Sequence, residues 1–84
     1  MSKRIELFTM RGCDPCDDAL GALVPFAKER DIPLTITPVR GPEDPSTVPT
    51  ICVIAENDGK ATRKCLEGFG EGTIKKIEEL LGSL

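Results

Sequence analysis

Histidine, tryptophan and tyrosine are absent from this sequence of 84 residues, and three phenylalanines are its only aromatic residues. Basic residues are not in excess either: the net charge is −3, which argues against nucleic acid as the main partner because phosphate binding requires clustered lysine and arginine. No apolar run is long enough to span a membrane, and the chain begins with a strand pattern rather than the apolar run of a signal peptide. We therefore expect one domain over residues 1–84, located in the cytoplasm.

Four residues, Cys13-Asp14-Pro15-Cys16, carry the clearest chemical signal in the chain. They lie between a predicted strand and a helical pattern, a setting in which C-x-x-C is typical of a redox motif. The first thiol lies where the free N–H groups and the positive dipole end of a helix favour its thiolate, which is the reactive form. A zinc site is the alternative, but it needs a second pair of ligands. The chain has no histidine, and its other cysteines, Cys52 and Cys65, are thirteen positions apart.

The spacing of apolar residues predicts six elements in the order β-α-β-β-β-α. The predicted strands cover residues 5–9, 34–39, 48–55 and 61–66. Apolar residues at helical spacing cover 17–30 and 74–81, and Pro15 suits the first turn of the first helix, directly after Cys13. A helix between the first two strands makes a βαβ unit, so these strands should be parallel. The third strand should be buried on both faces, and polar residues mark the fourth as an edge strand. Asp58-Gly59 predicts a hairpin, and Pro25 should kink the first helix.

Three motifs in this order resemble the thioredoxin superfamily, and within it the small glutaredoxin-like proteins. They are the run Phe8-Thr9-Met10-Arg11-Gly12-Cys13, the T-V-P sequence Thr47-Val48-Pro49, whose proline is cis in that superfamily, and the glycine turn Gly68-Phe69-Gly70. The resemblance implies an α/β thioredoxin fold of three layers, with a four-stranded mixed sheet in the order 2-1-3-4. Here the middle helix is shortened to residues 41–46. Pro15 departs from the glutaredoxin C-P-Y-C and matches the thioredoxin C-G-P-C.

The resemblance also implies a dithiol–disulfide oxidoreductase that reduces protein disulfides. Cys13 would be the nucleophile and Cys16 the resolving thiol. Pro49, if cis, would present the backbone of Val48 to an extended substrate segment, and Arg11 and Thr47 complete the predicted substrate-binding set. We expect a monomer with no bound cofactor, whose redox-active disulfide takes electrons from a flavoprotein disulfide reductase or from glutathione.

Two other functions stay open at this point. The first is a glutaredoxin that takes electrons from glutathione or holds an iron–sulfur cluster with it. Glutathione is anionic, and three aspartates, Asp14, Asp17 and Asp18, flank the cysteine pair, so the sequence favours protein substrates. The second is a small binding module without enzymatic activity, in which Cys13 and Cys16 form a structural disulfide or bind a metal.

The second cysteine pair has a geometric interpretation. If Asp58-Gly59 is a two-residue turn, Asn57 opposes Lys60, and the same register places Cys52 opposite Cys65. This is a site without a backbone hydrogen bond, where facing side chains lie closest, so a cross-strand disulfide can form. The alternative is two reduced, buried thiols that pack as small apolar side chains. For a cytoplasmic protein we expect the reduced pair.

Overall fold

The computed structural model describes residues 2–39 and 49–83. Its elements follow the predicted order; the first and fourth strands and the last helix are longer than the sequence pattern indicates, and the second strand is shorter. The elements are β1 (Ser2–Thr9), α1 (Asp14–Glu29), β2 (Leu34–Pro38), β3 (Thr50–Asn57), β4 (Lys60–Glu67) and α2 (Thr73–Ser83). Helix α1 begins directly after Cys13, which is its N-terminal cap, so the predicted position of the first cysteine at a helix start is confirmed. Pro25 lies inside α1 without ending it.

The four strands form one mixed sheet in the order β2-β1-β3-β4. Strand β1 pairs parallel to β2 and antiparallel to β3, and β3 pairs antiparallel to β4. The predicted strand order, the parallel βαβ unit and the position of β4 at the sheet edge are therefore confirmed. Residues 40–48, which include the predicted short middle helix as well as Thr47 and Val48, lie outside the described residues.

The hairpin between β3 and β4 has the turn that the sequence predicts. Asp58 has φ 53° and Gly59 has φ 80°. Positive φ at both central residues is typical of the type I′ turn, whose twist matches that of the flanking strands. Asn57 opposes Lys60, and the register continues along the ladder to place Cys52 opposite Cys65.

Both described helices pack against the same face of the sheet. Side chains alternate between the two faces of a strand, so Ile5 and Leu7 of β1 share a face with their partners in β3. These residues form one core cluster with side chains from both helices: Ile5, Leu7, Ala19, Leu23, Phe26, Ile51, Val53, Ile77 and Leu81. The other face of β3 is buried as well, because Thr50, Cys52 and Ile54 are at most 5% exposed. Burial of β3 on both faces is thus confirmed. Among the helices of the described ranges, none is long and apolar enough to cross a membrane.

Neighbouring positions in α1 provide a test of this packing. Leu23 is fully buried in the core cluster, whereas Val24 is 47% exposed. Leu23→Ala should lower the free energy of unfolding by about 2–5 kcal/mol, because it removes buried methyl groups and leaves a cavity. Val24→Ala is the matched control and should change that free energy by less than about 0.5 kcal/mol. Urea unfolding followed by circular dichroism, with the disulfides kept oxidised, measures both. Equal losses would contradict the placement of the core.

Candidate active site

Several chain segments meet at the end of the sheet where β1 terminates, which we call the β1-end edge. Thr50, the first residue of β3, pairs with Phe8 of β1 on one side and with Glu67 of β4 on the other. The turn after β4 is joined to this edge because the Gly68 N–H donates to the Pro49 carbonyl at 2.7 Å. The loop that carries the first cysteine leaves β1 at the same edge. Parts of the three motifs that carry the family resemblance therefore lie at adjacent strand ends.

Cys13 and Cys16 form a disulfide with their Cα atoms 5.2 Å apart. Gly12, just before the pair, has φ +76°, a conformation that glycine adopts without steric cost. The chain then becomes extended at Cys13, which caps α1 and whose Sγ accepts a hydrogen bond from the Cys16 backbone N–H at 3.1 Å. A sulfur at this position lies next to the unpaired N–H groups of the first helical turn. These donors and the helix dipole stabilise negative charge on Cys13 Sγ.

The two cysteines differ in their exposure. Cys13 is half-buried, while Cys16 is only 2% exposed and lies on the side of α1 that faces the sheet. An incoming group can therefore reach Cys13 and not Cys16. The carboxylates of the neighbouring residues Asp14, Asp17 and Asp18 are exposed around the pair. They act against the thiolate, but water screens them.

The structure describes part of the predicted substrate-binding set. Pro49 is fully buried and directly precedes β3. Arg11 is exposed in the loop before Cys13. Thr47 and Val48 lie outside the described residues. The cis geometry of the bond before Pro49 and the roles of these four residues stay predictions.

The second cysteine pair is also a disulfide, so the expectation of two reduced thiols is wrong. Cys52 and Cys65 are bridged with their Cα atoms 4.0 Å apart. The register of the hairpin explains this: the two residues face each other across the ladder, where the sulfurs meet directly. The expectation of two buried thiols is wrong for Cys65, which is exposed, while Cys52 is 1% exposed.

A polar network beside this bridge was not predicted. Nη2 of Arg63 donates to Glu6 Oε1 at 2.9 Å and to Cys52 Sγ at 3.5 Å. Arg63 could have been found, because it lies two residues from Cys65 on the same face of β4. Glu6 could not, since its position opposite Cys52 depends on the pairing of β1 with β3, which the sequence pattern does not determine.

Solved structures of thioredoxins match nearly the whole chain. A thioredoxin from Trichomonas vaginalis has a TM-score of 0.76 at 13% identity, over 96% of this chain and 78% of its own. The periplasmic thioredoxin SoxS from Paracoccus pantotrophus has a TM-score of 0.70 at 22% identity, over 96% and 97%. Thioredoxin 1 from Thermosipho africanus has a TM-score of 0.60 at 29% identity, over 94% of each chain. The chain has the fold of the thioredoxin superfamily.

No protein-family model and no curated protein sequence matches the chain. The thioredoxin fold with a C-x-x-C disulfide at the start of α1 makes this protein a thiol–disulfide oxidoreductase. The narrower resemblance to glutaredoxins stays a prediction.

The unequal exposure of Cys13 and Cys16 has a direct chemical consequence. After reduction, a limiting amount of iodoacetamide should modify Cys13 at least about tenfold faster than Cys16, because alkylation requires an accessible thiolate. Peptide mass spectrometry of the folded protein, quenched at successive times, gives both rates. In denaturant the two rates should converge, which controls for sequence effects. Equal rates in the folded protein would show that Cys16 is accessible.

Proposed function

We propose that this chain reduces disulfides in other proteins with its Cys13–Cys16 pair, through a mixed-disulfide intermediate. The observation that carries the proposal is the asymmetry of the pair: Cys13 is half-buried at the helix cap, and Cys16, one turn later, is only 2% exposed. This arrangement gives each cysteine one of the two roles that disulfide reduction requires: Cys13 attacks the substrate, and Cys16 resolves the mixed disulfide.

The reaction has two exchange steps. The Cys13 thiolate attacks one sulfur of the substrate disulfide, a bond forms between them, and the other substrate sulfur leaves with the electron pair and takes up a proton. The Cys16 thiol then loses its proton and attacks Cys13 Sγ. The Cys13–Cys16 disulfide forms again, and the second substrate sulfur leaves as a thiolate. Two electrons pass to the substrate, and an external reductant must return them.

Pro49 supports the placement of a substrate beside Cys13. Its carbonyl is already bonded to the Gly68 N–H at 2.7 Å, so the segment before β3 is held at the β1-end edge, from which the Cys13 loop leaves. We infer that a substrate segment lies along this edge next to the disulfide. The predicted contacts from Val48, Thr47 and Arg11 belong to this inference.

The charges around the pair favour a flavoprotein disulfide reductase over glutathione as the electron donor. Asp14 and Asp17 lie in the first turn of α1, and Asp18 follows directly. Glutathione approaches as an anion, and like charges near the reacting sulfur slow the encounter. A protein donor can supply a surface that complements these carboxylates. The cytoplasmic location and the monomeric state remain predictions beside this proposal.

Reduction of insulin disulfides tests the dithiol mechanism. The intact protein with dithiothreitol as reductant should accelerate insulin precipitation. Cys13→Ser and Cys16→Ser should each fall to the rate of dithiothreitol alone, because one variant lacks the nucleophile and the other cannot resolve the mixed disulfide. Cys16→Ser that is reduced and then freed of dithiothreitol should also form a covalent complex with insulin that is visible on a non-reducing gel, because no added thiol then opens the mixed disulfide. A folded, inert wild-type protein would overturn the proposal, and measurement of its zinc content would then test the binding-module alternative.

The choice of electron donor can be tested through charge alone. Asp14→Asn/Asp17→Asn should raise the rate at which glutathione reduces the Cys13–Cys16 disulfide by about two- to tenfold, since each exposed charge contributes modestly. This rate is divided by the rate with dithiothreitol. A change in the reactivity of the cysteine sulfurs alters both rates, so the ratio reports the effect of the reductant's charge. The ratio should return toward the wild-type value at high salt. Glu79→Gln, an exposed carboxylate on α2, is the control and should leave the ratio unchanged. An unchanged ratio in the double variant would contradict the electrostatic argument.

A further inference from the structure

The Cys52–Cys65 disulfide lies on the face of the sheet opposite α1 and α2. Adjacent residues of a strand point to opposite faces of the sheet. Ile51 and Val53 contact the helices, so Cys52 points to the other face. Helix α1, which carries Cys16, packs on the face of Ile51 and Val53. The second disulfide is therefore separated from the first by the sheet itself, and a reagent can reach it without passing the candidate active site.

Only one sulfur-bearing residue of this bridge is accessible. Cys65 is exposed on the edge strand β4, while Cys52 is 1% exposed in the central strand β3. Disulfide exchange begins with an in-line approach of a thiolate to one sulfur, and the rate depends on access to that sulfur. The exposure identifies Cys65 as the sulfur that is attacked, and Cys52 as the leaving group.

A leaving thiolate at a buried position needs a compensating charge. Arg63 supplies it, because Nη2 lies 3.5 Å from Cys52 Sγ as a hydrogen-bond donor. The same nitrogen donates to Glu6 at 2.9 Å, and Glu6 also accepts from Thr37 Oγ1 at 3.4 Å. Glu6 holds the guanidinium beside the sulfur and at the same time neutralises part of its charge. Once Cys52 carries a negative charge, its hydrogen bond with Arg63 joins two opposite charges and becomes stronger.

We propose that Cys52–Cys65 is a second redox-active disulfide, which a dithiol opens by attacking Cys65 while Arg63 stabilises the departing Cys52 thiolate. In the first step the donor sulfur bonds to Cys65 Sγ, and the electron pair of the Cys52–Cys65 bond leaves on Cys52. In the second step the donor's second thiol attacks the donor sulfur that is bonded to Cys65, and Cys65 leaves as a thiolate. The donor ends as a disulfide, two electrons reach the chain, and both cysteines take up protons.

This proposal goes beyond the proposed function and does not depend on it, so the test removes the first pair. Cys13→Ser/Cys16→Ser, purified under oxidising conditions, retains only the Cys52–Cys65 bridge. Dithiothreitol should open this bridge in the folded protein, seen as two added groups after alkylation and acid quenching, with the far-ultraviolet circular dichroism unchanged. A bridge that opens only after denaturant is added would overturn the proposal. So would a protein purified in this way that carries no bridge at residues 52 and 65.

The site of attack is a second, independent readout. With 2-mercaptoethanol at short times, the same variant should carry the mixed disulfide on Cys65 and a free thiol at Cys52. The free thiol is first blocked with N-ethylmaleimide so that no exchange occurs during digestion. Trypsin cleaves between these residues, so peptide mass spectrometry then assigns the adduct. An adduct found mainly on Cys52 would contradict the assignment of the leaving group.

Arg63 is a positioning residue, and two variants with opposite expected signs test it. Arg63→Gln should slow reduction about three- to tenfold, since a hydrogen bond to a charged group is lost in the transition state. Glu6→Gln should accelerate reduction, because it removes the carboxylate that competes for the same guanidinium nitrogen. Lys64→Gln removes an equal charge from the next residue, which faces the other side of the sheet, and should leave the rate unchanged. If the Arg63–Glu6 pair were only structural, both variants would change the rate of reduction in the same direction.

Discussion

The antiparallel pairing of β3 with β1 and with β4 determines where both disulfides lie. Pairing with β1 places Thr50 opposite Phe8, which brings Pro49 to the β1-end edge, from which the Cys13 loop leaves. Pairing with β4 places Cys52 opposite Cys65. A shift of either register by one residue would move every side chain of the strand to the opposite face of the sheet. Such a shift is costly in β1, because it would move Ile5 and Leu7 out of the core and turn Arg4 and Glu6 toward it.

The reactivity of Cys13 follows from competing electrostatic effects of different size. A hydrogen bond from a backbone N–H to a thiolate is worth about 1.5–3 kcal/mol, and the sulfur accepts one from Cys16. A unit charge 4 Å away in water contributes only about 1 kcal/mol, and the aspartates near Cys13 are exposed. Per interaction, the hydrogen bond at the helix terminus is therefore the larger effect at the sulfur itself. The carboxylates act mainly on charged molecules that approach from solvent, which is where they influence the choice of partner.

Features that depend on residues close together in the sequence, such as turns and the start of a helix, could be predicted. Asp58-Gly59 defines its own turn, and from that turn the whole β3–β4 register follows, including the cysteine pair. The C-x-x-C motif and the pattern of the following helix likewise locate the candidate active site. The motif also placed the helix start at Cys13, although its sulfur is not among the oxygen acceptors that commonly signal a cap. The Glu6–Arg63–Cys52 contacts were missed because they join three strands, and the position of β1 against β3 has no local signal in the sequence.

The two disulfides differ in which sulfur receives the hydrogen-bond donor. At the first pair the donor is the Cys16 N–H, and it serves the accessible sulfur of Cys13. Stabilised negative charge on an accessible sulfur creates an attacking group. At the second pair the donor is Arg63, and it serves the buried sulfur of Cys52, while the accessible residue is Cys65. Stabilised charge on the inaccessible sulfur creates a leaving group, and it makes the accessible one a target. One sheet thus carries, on opposite faces, one sulfur pair arranged to attack disulfides and another arranged to be opened by thiols.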